Sequence, residues 1–153
     1  MNIIRNKTIS IYLLILFFFS IFYLYQKHTV GNDSTISEWL INYEGGFTKR
    51  GLIGQISIYL SYIFDLKLRV SILIFQILII GIYYLFLNNF LINLKLNNII
   101  IFSIFSPIFI LYPVAEIEVL ARKETFLYSF FLLYFFLNNE TYRNIYKVTI
   151  LPL

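Results

Sequence analysis

Residues 70–87 read VSILIFQILIIGIYYLFL, eighteen positions without a charge and with one amide, Gln76, among them. A hydrocarbon layer about 30 Å thick is crossed by about 20 apolar residues of helix rising 1.5 Å each. Three further runs have the same character: Thr8 to Tyr25, Ile99 to Ala115 and Thr125 to Leu137. The last is only thirteen residues long, so a full crossing has to recruit the charged residues before it. The expectation is an all-α fold: a polytopic transmembrane helical bundle of about four spans, at 8–25, 70–87, 99–115 and 118–137, forming a single membrane domain over 1–153.

Composition supports that class. Charged residues are 13% of the chain, against about 25% in an ordinary soluble domain. Apolar residues are 59%, aromatics 20%, and the mean hydropathy is +0.78. Arg5 and Lys7 precede the first run as they would in a signal peptide. No small-residue cleavage pattern follows, only FYLYQKH at 22–28, so a retained first helix is expected. The absence of cysteine excludes disulfides and thiol chemistry. The tail, VTILPL at 148–153, reads as the opening of another apolar segment, as a truncated fragment would show.

Charge is distributed unevenly between the two faces that four spans define. Residues 26–69 and 116–124 share one face and hold seven of the eight acids, balanced by seven bases. The N-terminus, 88–98 and 138–147 share the other, which is net +4. Segregation of the acids places the second face, with the N-terminus, in the cytoplasm, and the lipid bilayer of the bacterial inner membrane is the expected partner. Counted by Lys and Arg alone, the positive-inside rule gives no such preference. No nucleic-acid partner is expected; other membrane subunits are compatible with the pattern.

Chemistry is concentrated in the polar outer loop 26–51, which includes GNDSTISEWLINYEGGFTKRG at 31–51. Thr35-Ile36-Ser37-Glu38 fits a capping box, so a short helix should follow and end at Gly45-Gly46. Trp39, Leu40, Tyr43 and Phe47 give it an aromatic side suited to headgroup depth. Lys49-Arg50 suits a phosphate, Arg through a planar fork and Lys as a point charge, and suits ordinary lipid headgroups equally. Gly45, Gly46, Gly51 and Gly54 would let backbone N–H groups approach an anion. After the loop, residues 52–66 place Gly54, Ser57, Ser61 and Asp65 on one helical stripe. An interfacial or re-entrant amphipathic helix is expected there, with a short span packed through its small residues as the alternative.

A second polar constellation, EIEVLARKE at 116–124, follows a helix interrupted by Pro107 and Pro113. Glu118 and Arg122 stand four apart in the order that favours a helical salt bridge. In an extended stretch Glu116 and Glu118 would point the same way and suit a divalent cation, Mg or Mn. Ionisable groups at membrane depth are costly and mark functional candidates. His28, the sole histidine, lies at the end of the first run and reads as a headgroup contact rather than part of a site.

The stretch from Trp39 to Gly54, WLINYEGGFTKRGLIG, together with Arg122-Lys123-Glu124, resembles a pattern of multi-spanning bacterial membrane proteins from surface-polysaccharide gene clusters. More distantly, the layout is similar to the GT-C glycosyltransferase superfamily, whose members use lipid-phosphate sugar donors. The resemblance implies Asp33 as catalytic base or metal ligand and Glu116 and Glu118 as a second, metal-binding acidic pair. It further implies that Lys49, Arg50, Arg122 and Lys123 contact the phosphates of a polyprenyl-phosphate sugar. Two expectations stand at this point: an enzyme of cell-surface glycan assembly that transfers sugar from such a donor, or a non-enzymatic membrane component such as a flippase, transporter or assembly subunit.

Overall fold

The computed structural model describes residues 2–30, 33–46, 51–94, 97–106, 120, 122, 124–137 and 140–149. Seven helices and no strand occur among them: α1 Asn2–Val30, α2 Asp33–Leu40, α3 Gly51–Ile63, α4 Leu68–Asn93, α5 Asn98–Phe105, α6 Glu124–Phe136 and α7 Glu140–Thr149. The all-α reading holds for these residues.

Helix α4 is the hub, contacting α1, α2, α3 and α6. It runs antiparallel to α1, as three side-chain pairs show. Ser10 Oγ donates to Asn88 Oδ1 at 2.8 Å, Ser20 Oγ lies 3.4 Å from the Tyr84 hydroxyl, and His28 Nε2 lies 2.8 Å from Gln76 Oε1. The buried positions of α1 recur three, four or seven apart (Ile9, Leu13, Ser20, Leu24, Lys27, His28), the spacing of one helical seam. Against it α4 sets Ile80, Tyr84, Leu87 and Leu91. Because the α1 seam ends beside Gln76, the first two turns of α4 project beyond it. Those turns are covered by α3, where Ser71 Oγ donates to the Ser57 carbonyl at 2.9 Å.

Helix α6 runs parallel to α4. Phe126 and Ile79 line one crevice near its start, while Phe135 meets Phe90 at 4.7 Å between ring centroids near its end. Helix α7 folds back along α6: the Tyr146 hydroxyl donates to the Phe130 carbonyl, and burial raises this phenol above its ordinary pKa. Arg143 and Lys147, one turn apart, both lie over the Tyr134 ring, at 4.9 and 5.6 Å from its centroid.

The surface is apolar and the interior carries polar groups. Ile11, Leu14, Ile15, Phe18 and Phe22 are exposed on α1, and Val70, Ile74, Leu78, Ile82 and Leu85 on α4. Ser20, Ser57, Ser71, Gln76, Thr125 and Ser129 are buried. Among the described residues two helices are long and apolar enough to cross a membrane, Asn6–Val30 and Leu68–Asn93. At 1.5 Å per residue each is about 37–39 Å long.

The other two expected spans are only partly described. Within 99–115 the described helix is α5, eight residues ending at Phe105, and residues 107–119 lie outside the described residues. The fourth, expected at 118–137, begins only at Glu124 and has thirteen residues. Leu120 sits in a turn and Arg122 is non-helical, its carbonyl accepting from the Thr125 N–H at 3.1 Å. Leu120 and Arg122 therefore do not extend α6, and Glu118, expected to pair with Arg122, lies outside the described residues.

Helices α2 and α3 also differ from expectation. Thr35 is already inside α2, which opens at Asp33 and stops at Leu40, five residues before Gly45. The cause of the early stop lies in α3. A Cβ at Gly54 would collide with the Ile41 carbonyl and lie 2.9 Å from the Trp39 carbonyl oxygen, so the C-terminal carbonyls of α2 rest directly on this glycine. Beyond it, Asn42 Oδ1 accepts from the Glu44 N–H at 2.9 Å and Gly46, at φ 117°, donates to the Tyr43 carbonyl. The glycines thus shape a turn rather than a helix end. In α3 the small residues Gly51, Gly54 and Ser57 are buried against neighbours, while Leu52, Ile56, Tyr59 and Ile63 point outward. Asp65 lies past the helix at φ 49°, off the stripe assigned to it.

Gly54→Ala should therefore force α2 off α3 and cost about 1–3 kcal/mol, as overpacking does. Gly45→Ala, with nothing within 4 Å of the added carbon, should be close to neutral. Unfolding in detergent micelles followed by emission of Trp39, the only tryptophan, measures both; a red shift of the native spectrum in Gly54→Ala alone is the expected signature.

Candidate functional site at the end shared by α1, α2, α4 and α6

The direction of the helices brings the end of α1 and the beginnings of α4 and α6 to one end of the bundle. Trp39 fixes α2 there. Its side chain is 1% exposed and meets Phe75 edge-to-face at 5.7 Å, within a cluster of Ile36, Ile72 and Ile79 bordered by Ile53 and Phe126. The indole expected at headgroup depth is instead a core anchor joining four helices, and about 0.5–1.5 kcal/mol of aromatic pairing adds to its burial. Gln55 Oε1 accepts from the Tyr43 N–H at 3.2 Å and ties the following loop to α3.

Asp33 is the first residue of α2 and so belongs to this end. Arg122 is half-buried beside the start of α6, near Leu120, which is 1% exposed within the cluster that holds Leu24 and Ile80. Lys49, Arg50, Glu116, Glu118 and Lys123 lie outside the described residues, and with them the proposed phosphate and cation contacts. Among the described residues no three His, Cys, Asp or Glu side chains come together to hold a metal ion.

A polar group absent from the sequence reading is prominent here. His28, set aside as a headgroup contact, is buried, and its partner Gln76 is fully buried. His28 Nδ1 and Gln76 Nε2 have no hydrogen-bond partner among the described residues, and neither have Glu124 Oε2 and Thr125 Oγ1 at the start of α6. Lys27, next to His28, is buried as well. The signal was present in the sequence: Gln76 interrupts the apolar run 72–87 as its only amide, and intramembrane polar groups mark function or helix pairing.

Comparisons with family models, curated proteins and solved structures found no match to the chain.

Gln76→Leu should strand the remaining His28 nitrogen and lower stability by about 1–3 kcal/mol. Ser10→Ala, which removes a partly buried bond at the opposite end, should cost about 0.5–1.5 kcal/mol. Denaturant titration in micelles, with circular dichroism as readout, ranks the two.

Proposed function

We propose that this chain is a multi-pass protein of the bacterial cell membrane, its N-terminus cytoplasmic, that works in cell-surface glycan assembly on a polyprenyl-phosphate-linked sugar. The observation that supports this reading is the convergence at one end of the bundle of α2, which begins with Asp33, and of Leu120, Arg122 and the start of α6. An apolar exterior over two helices of membrane-crossing length supports the lipid environment. In this reading Asp33 takes a proton from the acceptor hydroxyl. Lys49, Arg50, Arg122 and Lys123 hold the departing phosphate, and Glu116 and Glu118 suit a divalent cation, Mg or Mn, that would offset its charge.

A second reading is a non-enzymatic component, a flippase, transporter or assembly subunit. It is favoured by the contacts Trp39–Phe75, Ser71–Ser57 and His28–Gln76, all of which join helix to helix.

Two measurements separate these readings. Cysteines introduced at Ser34 and Ala121 should label from the same, non-cytoplasmic side; opposite labelling would dismantle the shared site. Asp33→Asn should abolish glycan assembly in the native host at unchanged protein level, since Asn keeps the size of the Asp side chain but carries no charge to take a proton. Glu38→Gln and Glu44→Gln should retain it. Full complementation by all three variants would leave the non-enzymatic reading.

A further inference from the structure

Helix α7 brings two cations to one phenol. Arg143 Nη2 donates to the Tyr134 hydroxyl oxygen at 3.1 Å, and the guanidinium and the Lys147 ammonium lie 4.9 and 5.6 Å from the centre of the same ring. Like charges four residues apart on a helix repel. Among the described residues no carboxylate offsets them: Glu140, three residues before Arg143 and spaced to pair with it, is exposed and forms no ion pair. The fold holds this arrangement in place, because Tyr146 is buried against α6 with its hydroxyl on the Phe130 carbonyl, leaving Arg143 half-buried and Lys147 exposed. Since the Tyr134 oxygen accepts from Arg143, its own proton remains to be donated. An arginine fork, a lysine point charge and a phenol O–H directed to one spot suit the oxygens of a phosphate.

Position argues for a lipid phosphate. Tyr134 lies in the last turn of α6, at the end of the bundle where α1 starts and α4 finishes. Phe135, in ring contact with Tyr134 at 5.4 Å, and Phe131, one turn further into α6, are both exposed. Cations at the helix end with bare rings one turn inward match the form of a phospholipid, whose phosphate meets the cations while its acyl chains cover the rings. A soluble anion would leave those rings uncovered. We propose that Arg143, Lys147 and Tyr134 form a binding site for the phosphate of an anionic phospholipid. This inference rests on the chain lying in a bilayer and is independent of glycan assembly.

The test takes the full chain in detergent micelles with equal amounts of dioleoylphosphatidylglycerol and dioleoylphosphatidylcholine, which share acyl chains and differ in headgroup charge. Native mass spectrometry counts the lipid retained. The unaltered chain should keep the anionic lipid over the zwitterionic one by about tenfold. Arg143→Gln combined with Lys147→Gln should bring the two to parity, while Lys7→Gln, at an exposed cation of the same end outside the cluster, should leave the preference in place. Equal retention of both lipids by the unaltered chain overturns the proposal, as does a preference that survives the double change or disappears with Lys7→Gln alone. Displacement of the anionic lipid by millimolar inorganic phosphate would assign the site to a soluble anion and overturn it equally. Carbonate washing of proteoliposomes checks the premise separately. A chain that washes off loses the bilayer reading and this site with it, whereas one that stays and retains both lipids alike loses this site alone.

Discussion

Polar side chains that bond helix to helix beneath an apolar exterior govern the rest of this molecule. Gln76, Tyr84 and Asn88 lie on one stripe of α4, and each meets a polar side chain of α1: His28, Ser20 and Ser10. Apolar surface alone would not select this register, because α1 and α4 are apolar on their outer faces too and one rotation would bury about as much as another. Hydrogen bonds distinguish rotations. A turn of α1 by a third of a revolution would bring Leu14 or Phe18 to the seam and leave the buried Gln76 and the partly buried Asn88 unpaired, at a cost of about 1–3 kcal/mol for the buried amide.

The same logic explains what could be read in the sequence. Runs 8–25 and 70–87 announced α1 and α4 because length and apolarity suffice for a helix of that class. Their mutual orientation was hidden, since the cue that normally reveals a buried face, the alternation of apolar and polar residues, is missing from a helix that is apolar all round. The few polar residues carried that cue instead, and His28 was misplaced because it was judged singly rather than with Gln76, forty-eight positions away. Trp39 shows the complementary error. An aromatic in a polar loop suggests headgroup depth, yet its burial depends on Phe75 and Ile72 of another helix, which no local pattern contains.

Boundaries failed where tertiary contact overrode local signals. The capping pattern at Thr35 and the glycines at 45 and 46 are sound local cues, but α2 ends where its carbonyls meet Gly54, a residue thirteen positions beyond Ile41. Likewise in the run from Thr125 to Leu137 the described helix starts at Glu124, and Arg122, whose carbonyl accepts from the Thr125 N–H, does not extend it. The small-residue stripe of α3 was legible, and one of its two stated uses, close contact with neighbours, is what Gly54 and Ser57 provide. Of the site itself, Asp33 and Arg122 fall at one end of the bundle, while the buried imidazole–amide pair was signalled only by the lone amide Gln76 in an apolar run.

The short link between α1 and α2 gives the polar end a mechanical property. Only Gly31 and Asn32 separate Val30 from Asp33, a reach of about 11 Å even at full extension. With Trp39 held by Phe75 at the far end of α2, that helix is a strut pinned at both ends. Twisting of α1 about its own axis would drag Asp33 sideways while the indole stays clamped, so lateral load on the first helix is converted into tilt of α2. A bundle built this way transmits torque from its first helix to its second.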